Sequence, residues 1–241
     1  MIRLDKYLAD MQAGTRSEVK QMIRKGRVWV NQQPEKSPDR KINPETDQVA
    51  LDQKTVAYAA YEYYLFNKPS GCVSATEDNL YPTVLDYIET KKRKDLFPVG
   101  RLDLDTEGLL LITNDGGLAH ELLSPAHHIP KTYYAKIDGI ITEKEQQLFS
   151  QGMDIGEKKP TQPALLKILK SDSVSEVEIT ICEGKYHQIK RMFLQCSKPV
   201  LYLKRISMGN LTLDDKLLPG EYRSLTEPEL TYLKNRRESS E

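Results

Sequence analysis

Cysteine is scarce in this 241-residue sequence: there are three, Cys72, Cys182 and Cys196. An odd number without C-x-x-C spacing argues against a disulfide framework and a zinc site, and makes a reducing cytoplasm the expected location. Long apolar runs are missing as well. Nothing approaches the ~18 residues of a membrane span, so no membrane partner is expected. The opening Met1-Ile2-Arg3-Leu4-Asp5 carries a charge every few positions, unlike a secretory leader. Net charge of either sign is absent, since 35 Lys plus Arg balance 35 Asp plus Glu. That balance argues against a uniformly polycationic nucleic-acid binder. With apolar segments recurring throughout, it also argues against disorder. Hydrophobic residues make up 39% of the chain, enough to fill a core, and the length suits one large domain or two unequal ones.

The neutral sum hides sorted charge. Residues 1–33 hold seven basic and three acidic residues, and residues 183–205 are net +5. Residues 61–90 and 101–121 are each net −4, and Lys91-Lys92-Arg93-Lys94 is a basic run. Basic clusters on separate elements are one footprint of a phosphate-backbone binder; solvated faces are the other reading of the same pattern.

Local signals divide the chain near residue 57. Before it, Leu4, Leu8 and Met11 share a helical face, and Thr15-Arg16-Ser17-Glu18 is a T-x-x-E capping box opening a second helix. Val19, Met22 and Ile23 give that helix its apolar stripe, Gly26 stops it, and Arg16, Lys20, Arg24 and Arg27 lie off the stripe as a basic face. Val28 and Val30 then alternate as a strand turning at Asn31. After the boundary, Tyr64-Leu65-Phe66 and Gly108–Thr113 read as strands, Thr83–Ile88 as a short helix, and Asn114-Asp115-Gly116-Gly117 as a turn before a helix closed by Pro125. Tyr133, Ala135 and Ile137 face inward on one strand, and Val177, Ile179 and Ile181 on another. Ile189, Met192, Phe193 and Cys196 form a helical stripe, and Thr226–Glu229 is a second capping box opening a terminal helix. The order predicts an α+β fold with a mixed, mostly antiparallel sheet flanked by helices.

Two segments carry chemistry. Gly100-Arg101-Leu102-Asp103-Leu104-Asp105-Thr106-Glu107-Gly108 is the densest polar cluster, and a carboxylate there suits a nucleophile, a metal ligand or a surface charge. A phosphatase-type D-x-D site fits poorly: Phe97-Pro98-Val99-Gly100 is a poor strand end, and Arg101 would repel a divalent ion. The second segment is Glu183-Gly184-Lys185-Tyr186-His187-Gln188-Ile189-Lys190-Arg191-Met192-Phe193. It places Lys190 and Arg191 in a helix's first turn, where the dipole disfavours cations. Local stability does not select that placement, which points to an anionic partner or to side chains reaching solvent.

On these residues the chain resembles the small-subunit ribosomal RNA pseudouridine synthases of the RsuA type. Arg3-Leu4-Asp5-Lys6-Tyr7-Leu8 and Arg16-Ser17 through Asn31 resemble an S4 RNA-binding domain. Leu65–Gly71, Gly100–Gly116, Lys131-Thr132-Tyr133 and Glu183–Phe193 resemble the family's catalytic blocks in order. Thr15, where Ser is frequent, and Asn31-Gln32, where Asn-Gly is usual, depart from the S4 pattern. The resemblance implies an S4 domain over 1–57, a catalytic domain over 58–235 and a polar tail over 236–241.

It implies isomerisation of a specific uridine to pseudouridine in 16S rRNA, with the nucleotide flipped from its stack and with neither metal nor cofactor. Asp103 would be the nucleophile. Tyr133 would stack on the base and handle protons, and Lys190 would pair with Asp103 and hold it ionised. Arg101 would help extrude the nucleotide. Arg16, Lys20, Arg24, Lys185, His187 and Arg191 would contact RNA, and the enzyme would act as a cytoplasmic monomer on rRNA or a partly assembled small subunit. The alternatives are a large-subunit rRNA target and a non-catalytic RNA-binding or assembly factor. The Lys185-Tyr186-His187-Gln188 stretch favours the small-subunit branch by analogy.

Overall fold

The computed structural model describes residues 1–238; the last three residues of the expected tail, 239–241, lie outside the described residues. The chain forms two compact units, one of residues 1–62 with 89–96 and the other of residues 63–88 with those from 97 onward.

In the first unit β1 (Ile2–Arg3), α1 (Leu4–Asp10) and α2 (Arg16–Arg24) are followed by β2 (Val28–Val30), β3 (Gln33–Glu35), β4 (Lys41–Ile42), β5 (Val49–Leu51) and β6 (Lys54–Thr55). Thr15 and Glu18 form the expected reciprocal capping box, and Leu4, Leu8, Val19 and Ile23 pack with Val28 and Val30 in one core. Strands β3-β2-β5-β6 form an antiparallel sheet. Asn31 and Gln32 both take positive φ, 51° and 65°, as a two-residue hairpin turn demands. The returning segment 89–96 is tied down at Glu62, whose carboxylate accepts the backbone N–H of Lys92 at 3.0 Å and of Arg93 at 2.8 Å.

In the second unit β7 (Tyr63–Lys68), β8 (Phe97–Pro98), β9 (Glu107–Thr113), α3 (Gly116–Leu123), β10 (Lys131–Asp138) and α4 (Glu143–Ser150) come first. They are followed by β11 (Leu165–Lys170), β12 (Val174–Ile181), α5 (Gln188–Gln195), β13 (Val200–Met208), β14 (Leu211–Thr212), β15 (Tyr222–Ser224) and α6 (Glu227–Glu238). The sheet runs β11-β12-β10-β13-β9-β7-β15, with β8 on β9 and β14 on β13. Among the described residues β13 and β9 are the one pair of named strands that runs parallel, so the fold is α+β and mostly antiparallel, as the sequence predicts. Leu65, Leu109 and Leu111 pack against Leu118, Leu122 and Leu233 of the helices on one side. Gly108 makes the parallel pairing sterically allowed. Its φ is +100°, and a Cβ there would stand 2.2 Å from the Arg205 carbonyl oxygen.

Four sequence expectations change. Thr83–Ile88 is not a helix. Thr83 bridges to Val73, Val84 N–H donates to the Val73 carbonyl at 3.0 Å, and two separate turns follow. Val84, Leu85 and Ile88 are buried all the same, so their spacing reported burial and not helicity. The Asn114–Gly117 turn is also a helix start: Asp115 accepts the Leu118 N–H at 3.1 Å, and α3 begins at Gly116. The basic stretch 183–205 is not wholly a surface, because Arg205 is buried and donates to the Leu109 carbonyl at 2.7 Å. Helix α6 runs through Glu238, taking in the first part of the expected tail.

Candidate active site

The acidic segment leads into β9 as a loop held at every turn by its own unit. Lys68, at the end of β7, is buried, and its ammonium donates to the carbonyls of Thr106 at 2.9 Å, Pro69 at 3.1 Å and Leu104 at 3.3 Å. Burial pushes the Lys68 pKa down; Cys72, Asp105, Asp103 and Glu107 oppose that shift. Gly71 N–H donates to Leu104 O at 2.8 Å, and Ser74 both donates to the Leu102 carbonyl and accepts its N–H, each at 3.0 Å. The result buries Leu102 and leaves Asp103 with 28% of its side chain exposed at an open cleft.

The second segment meets it there. Strand β12 ends at Ile181, and Gln188 folds the connection by donating to Glu183 at 2.9 Å and accepting the Lys185 N–H at 2.9 Å. Helix α5 then sets Lys190 over the acidic loop, with its ammonium 3.1 Å from Asp103 and 2.5 Å from Asp105. Burial alone would lower the Lys190 pKa, but the bonds to Asp105 and Asp103 prevail and raise it. Asp105 moves the opposite way. Burial would raise its pKa, but Lys190 holds it below the usual carboxylate range.

His187 caps α5 in the left-handed conformation, φ 49°, without a side-chain capping bond. Its imidazole is turned toward Asp103, Nε2 to Oδ1 3.6 Å, and is stacked on the Tyr186 ring at 3.8 Å between centroids. Tyr186 itself is 71% exposed. Backbone strain of this kind accumulates where a side chain must be aimed. Tyr133, inward-facing on β10, lines the same cleft with Arg101, Asp103, His187, Lys190 and Leu203. The arrangement joins a carboxylate to a fixed cation, a tyrosine and apolar walls, a set suited to covalent or electrostatic work on a flat polar ring.

The structure thus brings Asp103, Tyr133, Lys190, Arg101, His187 and Lys185 to one cleft. Lys185 and Arg191 also bond to the loop before β11. Lys185 donates to the carbonyls of Lys159 at 2.7 Å and Pro160 at 3.2 Å, and Arg191 pairs with Glu157 at 2.7 Å and donates to the Ile155 carbonyl. Arg16 and Lys20 lie in the other unit, gathered with Arg3 around the buried Asp5 carboxylate at 3.4, 3.9 and 3.0 Å; Arg24 is exposed on the same helix. Two site elements were given no role from the sequence, although Lys68 lies within the Leu65–Gly71 block. Lys68 stands as a lone cation closing an apolar strand, and Leu203 sits in a strand whose neighbouring Lys204 and Arg205 read as surface. Among the described residues no group of three or more His, Cys, Asp or Glu is placed to hold a metal ion, and no helix is long and apolar enough to cross a membrane.

Residues 62–195 match the RNA pseudouridylate synthase family, and residues 2–49 match the S4 domain. YtzG of Bacillus subtilis, an uncharacterized RNA pseudouridine synthase, is 44% identical over 234 residues, spanning 96% of this chain and 98% of the relative. Ribosomal small subunit pseudouridine synthase A is 39% identical in Pasteurella multocida and 38% in Escherichia coli, each over 231 residues, 95% of this chain and 98% of the relative. A pseudouridylate synthase crystal structure superposes with a TM-score of 0.68 at 37% identity, covering 97% of this chain and 100% of the other.

Proposed function

Because this chain belongs to the RNA pseudouridylate synthase family, we propose that it converts one uridine of small-subunit (16S) ribosomal RNA to pseudouridine, with Asp103 as the nucleophile. The observation that carries the residue assignment is the position of Asp103, solvent-open in the cleft with the Lys190 ammonium at 3.1 Å and Tyr133 lining the same space. The small-subunit target rests on the relatives in Pasteurella multocida and Escherichia coli, which align along almost their whole length and are named for that subunit.

The reaction breaks the bond between uracil N1 and the ribose, turns the ring and joins the same ribose carbon to uracil C5. The proton on C5 is released and N1 gains one, so atoms balance and no oxidant or energy source enters. The Asp103 carboxylate adds to the substrate and leaves again. Lys190 complements its negative charge, Tyr133 packs on the flipped base and handles the C5 proton, and Arg101 helps hold the nucleotide out of its stack. The N-terminal unit binds the RNA through Arg16, Lys20 and Arg24, with Lys185 and His187 in the cleft and Arg191 beside it. Residues 1–57 then act as the S4 domain and 58–235 as the catalytic domain of a cytoplasmic monomer that uses no metal or cofactor.

Mapping pseudouridine in both rRNAs of a deletion strain tests the reading. One position lost from 16S rRNA is expected. A loss confined to large-subunit rRNA would reassign the target, and no loss in either would favour a non-catalytic assembly factor.

A further inference from the structure

The basic run Lys91–Lys94 lies far along the chain from the N-terminal module, yet it folds as part of that unit. Arg93 is the reason. Its side chain is 5% exposed and pairs with Asp95 at 2.6 Å and Asp10 at 3.3 Å. It also donates to the Tyr58 hydroxyl at 3.3 Å and packs over that ring. Asp10 ends α1, and Gln12, in the connection between α1 and α2, donates to the Lys91 carbonyl at 2.9 Å. With Glu62 holding the backbone of Lys92 and Arg93, the segment is fixed against the turn that leads into Arg16 and the basic face of α2.

Buried Arg93 spends its charge on the two aspartates, whereas Lys92 and Lys94 on either side of it are exposed. Neither lysine has an ion pair among the described residues. Two cations on a pinned backbone lose little freedom on binding, which suits them to a regularly spaced polyanion. We propose that Lys92 and Lys94, set by Arg93, form a phosphate-backbone site that extends the RNA-binding surface of the N-terminal unit. This rests on the reading of that unit as an RNA binder. It adds a stretch that lies outside both the sequence of the S4 match and the catalytic cleft.

The test compares three variants of the full chain by filter binding to a 16S rRNA transcript between about 50 and 200 mM salt. The first is Lys92→Gln with Lys94→Gln. The second is Arg16→Gln with Lys20→Gln and Arg24→Gln. The third, Lys167→Gln with Lys170→Gln, removes the same charge from exposed positions on β11. Losing two phosphate contacts should lower the slope of log affinity against log salt by about 1.4–1.8 in the first variant and leave the third near wild type. An unchanged slope in the first variant, with a reduced slope in the second, overturns this proposal alone. Unchanged slopes in both overturn the RNA-binding reading with it. Equal losses in the first and third mean that only total charge matters, and the site does not exist.

Discussion

The Lys68 ammonium donates to the Thr106 carbonyl at 2.9 Å, and that bond between the end of β7 and the loop before β9 sets where Asp103 stands. A buried lysine satisfied only by carbonyls is a costly device. It is worth keeping where the alternative is a loose loop carrying the cleft carboxylate.

Lys68→Met keeps the volume and takes its ammonium donor from the Thr106 carbonyl, while Leu104 O keeps the Gly71 N–H. Stability should fall by about 1–3 kcal/mol, read by thermal unfolding, and turnover should fall further than binding, read by kcat against KM. Wild-type turnover in this variant would mean that the lysine does not position the loop.

Lys190→Met removes the cation shared by Asp103 and Asp105. A loss of about 10²-fold in turnover is expected, with RNA affinity much less changed. Equal kcat in both proteins would show that the pairing is idle.

Both segments in this site were legible in the sequence because chemistry was dense there: Asp103 stood in a charged block between glycines, and Lys190 sat where a helix would not choose a cation. The capping boxes at Thr15 and Thr226 fixed two helix starts, since a hydroxyl and a carboxylate three residues apart answer a local need. Lys68, Arg93 and Arg205 were not legible. Their burial depends on partners far away, Thr106, Asp10 and Leu109, and charge counting assigns each to the surface by default. Thr83–Ile88 failed for a related reason: helical spacing of apolar residues says they are buried but not how the backbone gets them there.

Gly108→Ala should destabilise the catalytic unit by about 2–5 kcal/mol, combining a left-handed φ with a methyl driven into the β13 backbone. A shift in melting temperature of less than a degree would contradict the close approach of β9 and β13.

Glu145 gives a pH signature. Burial would raise its pKa, but Lys198 at 2.5 Å and the Thr142 cap prevail, and it falls to about 2. A depressed carboxylate stabilises above its unfolded pKa, roughly 4.3, and that stability fades as pH drops toward the folded value. Glu145→Gln should therefore melt lower than wild type at pH 7, and the gap should narrow below about pH 4. A gap constant from pH 7 to acid would show that the pair contributes nothing through its charge.

Pseudouridine formation on small-subunit rRNA by Asp103→Asn, run beside an RNA-binding titration, tests the role of this carboxylate. Asparagine keeps the size and loses the carboxylate proposed as the nucleophile, at a partly exposed position, so the fold should stand. No detectable pseudouridine is expected, with binding retained. Pseudouridine formed at the wild-type rate would contradict that role.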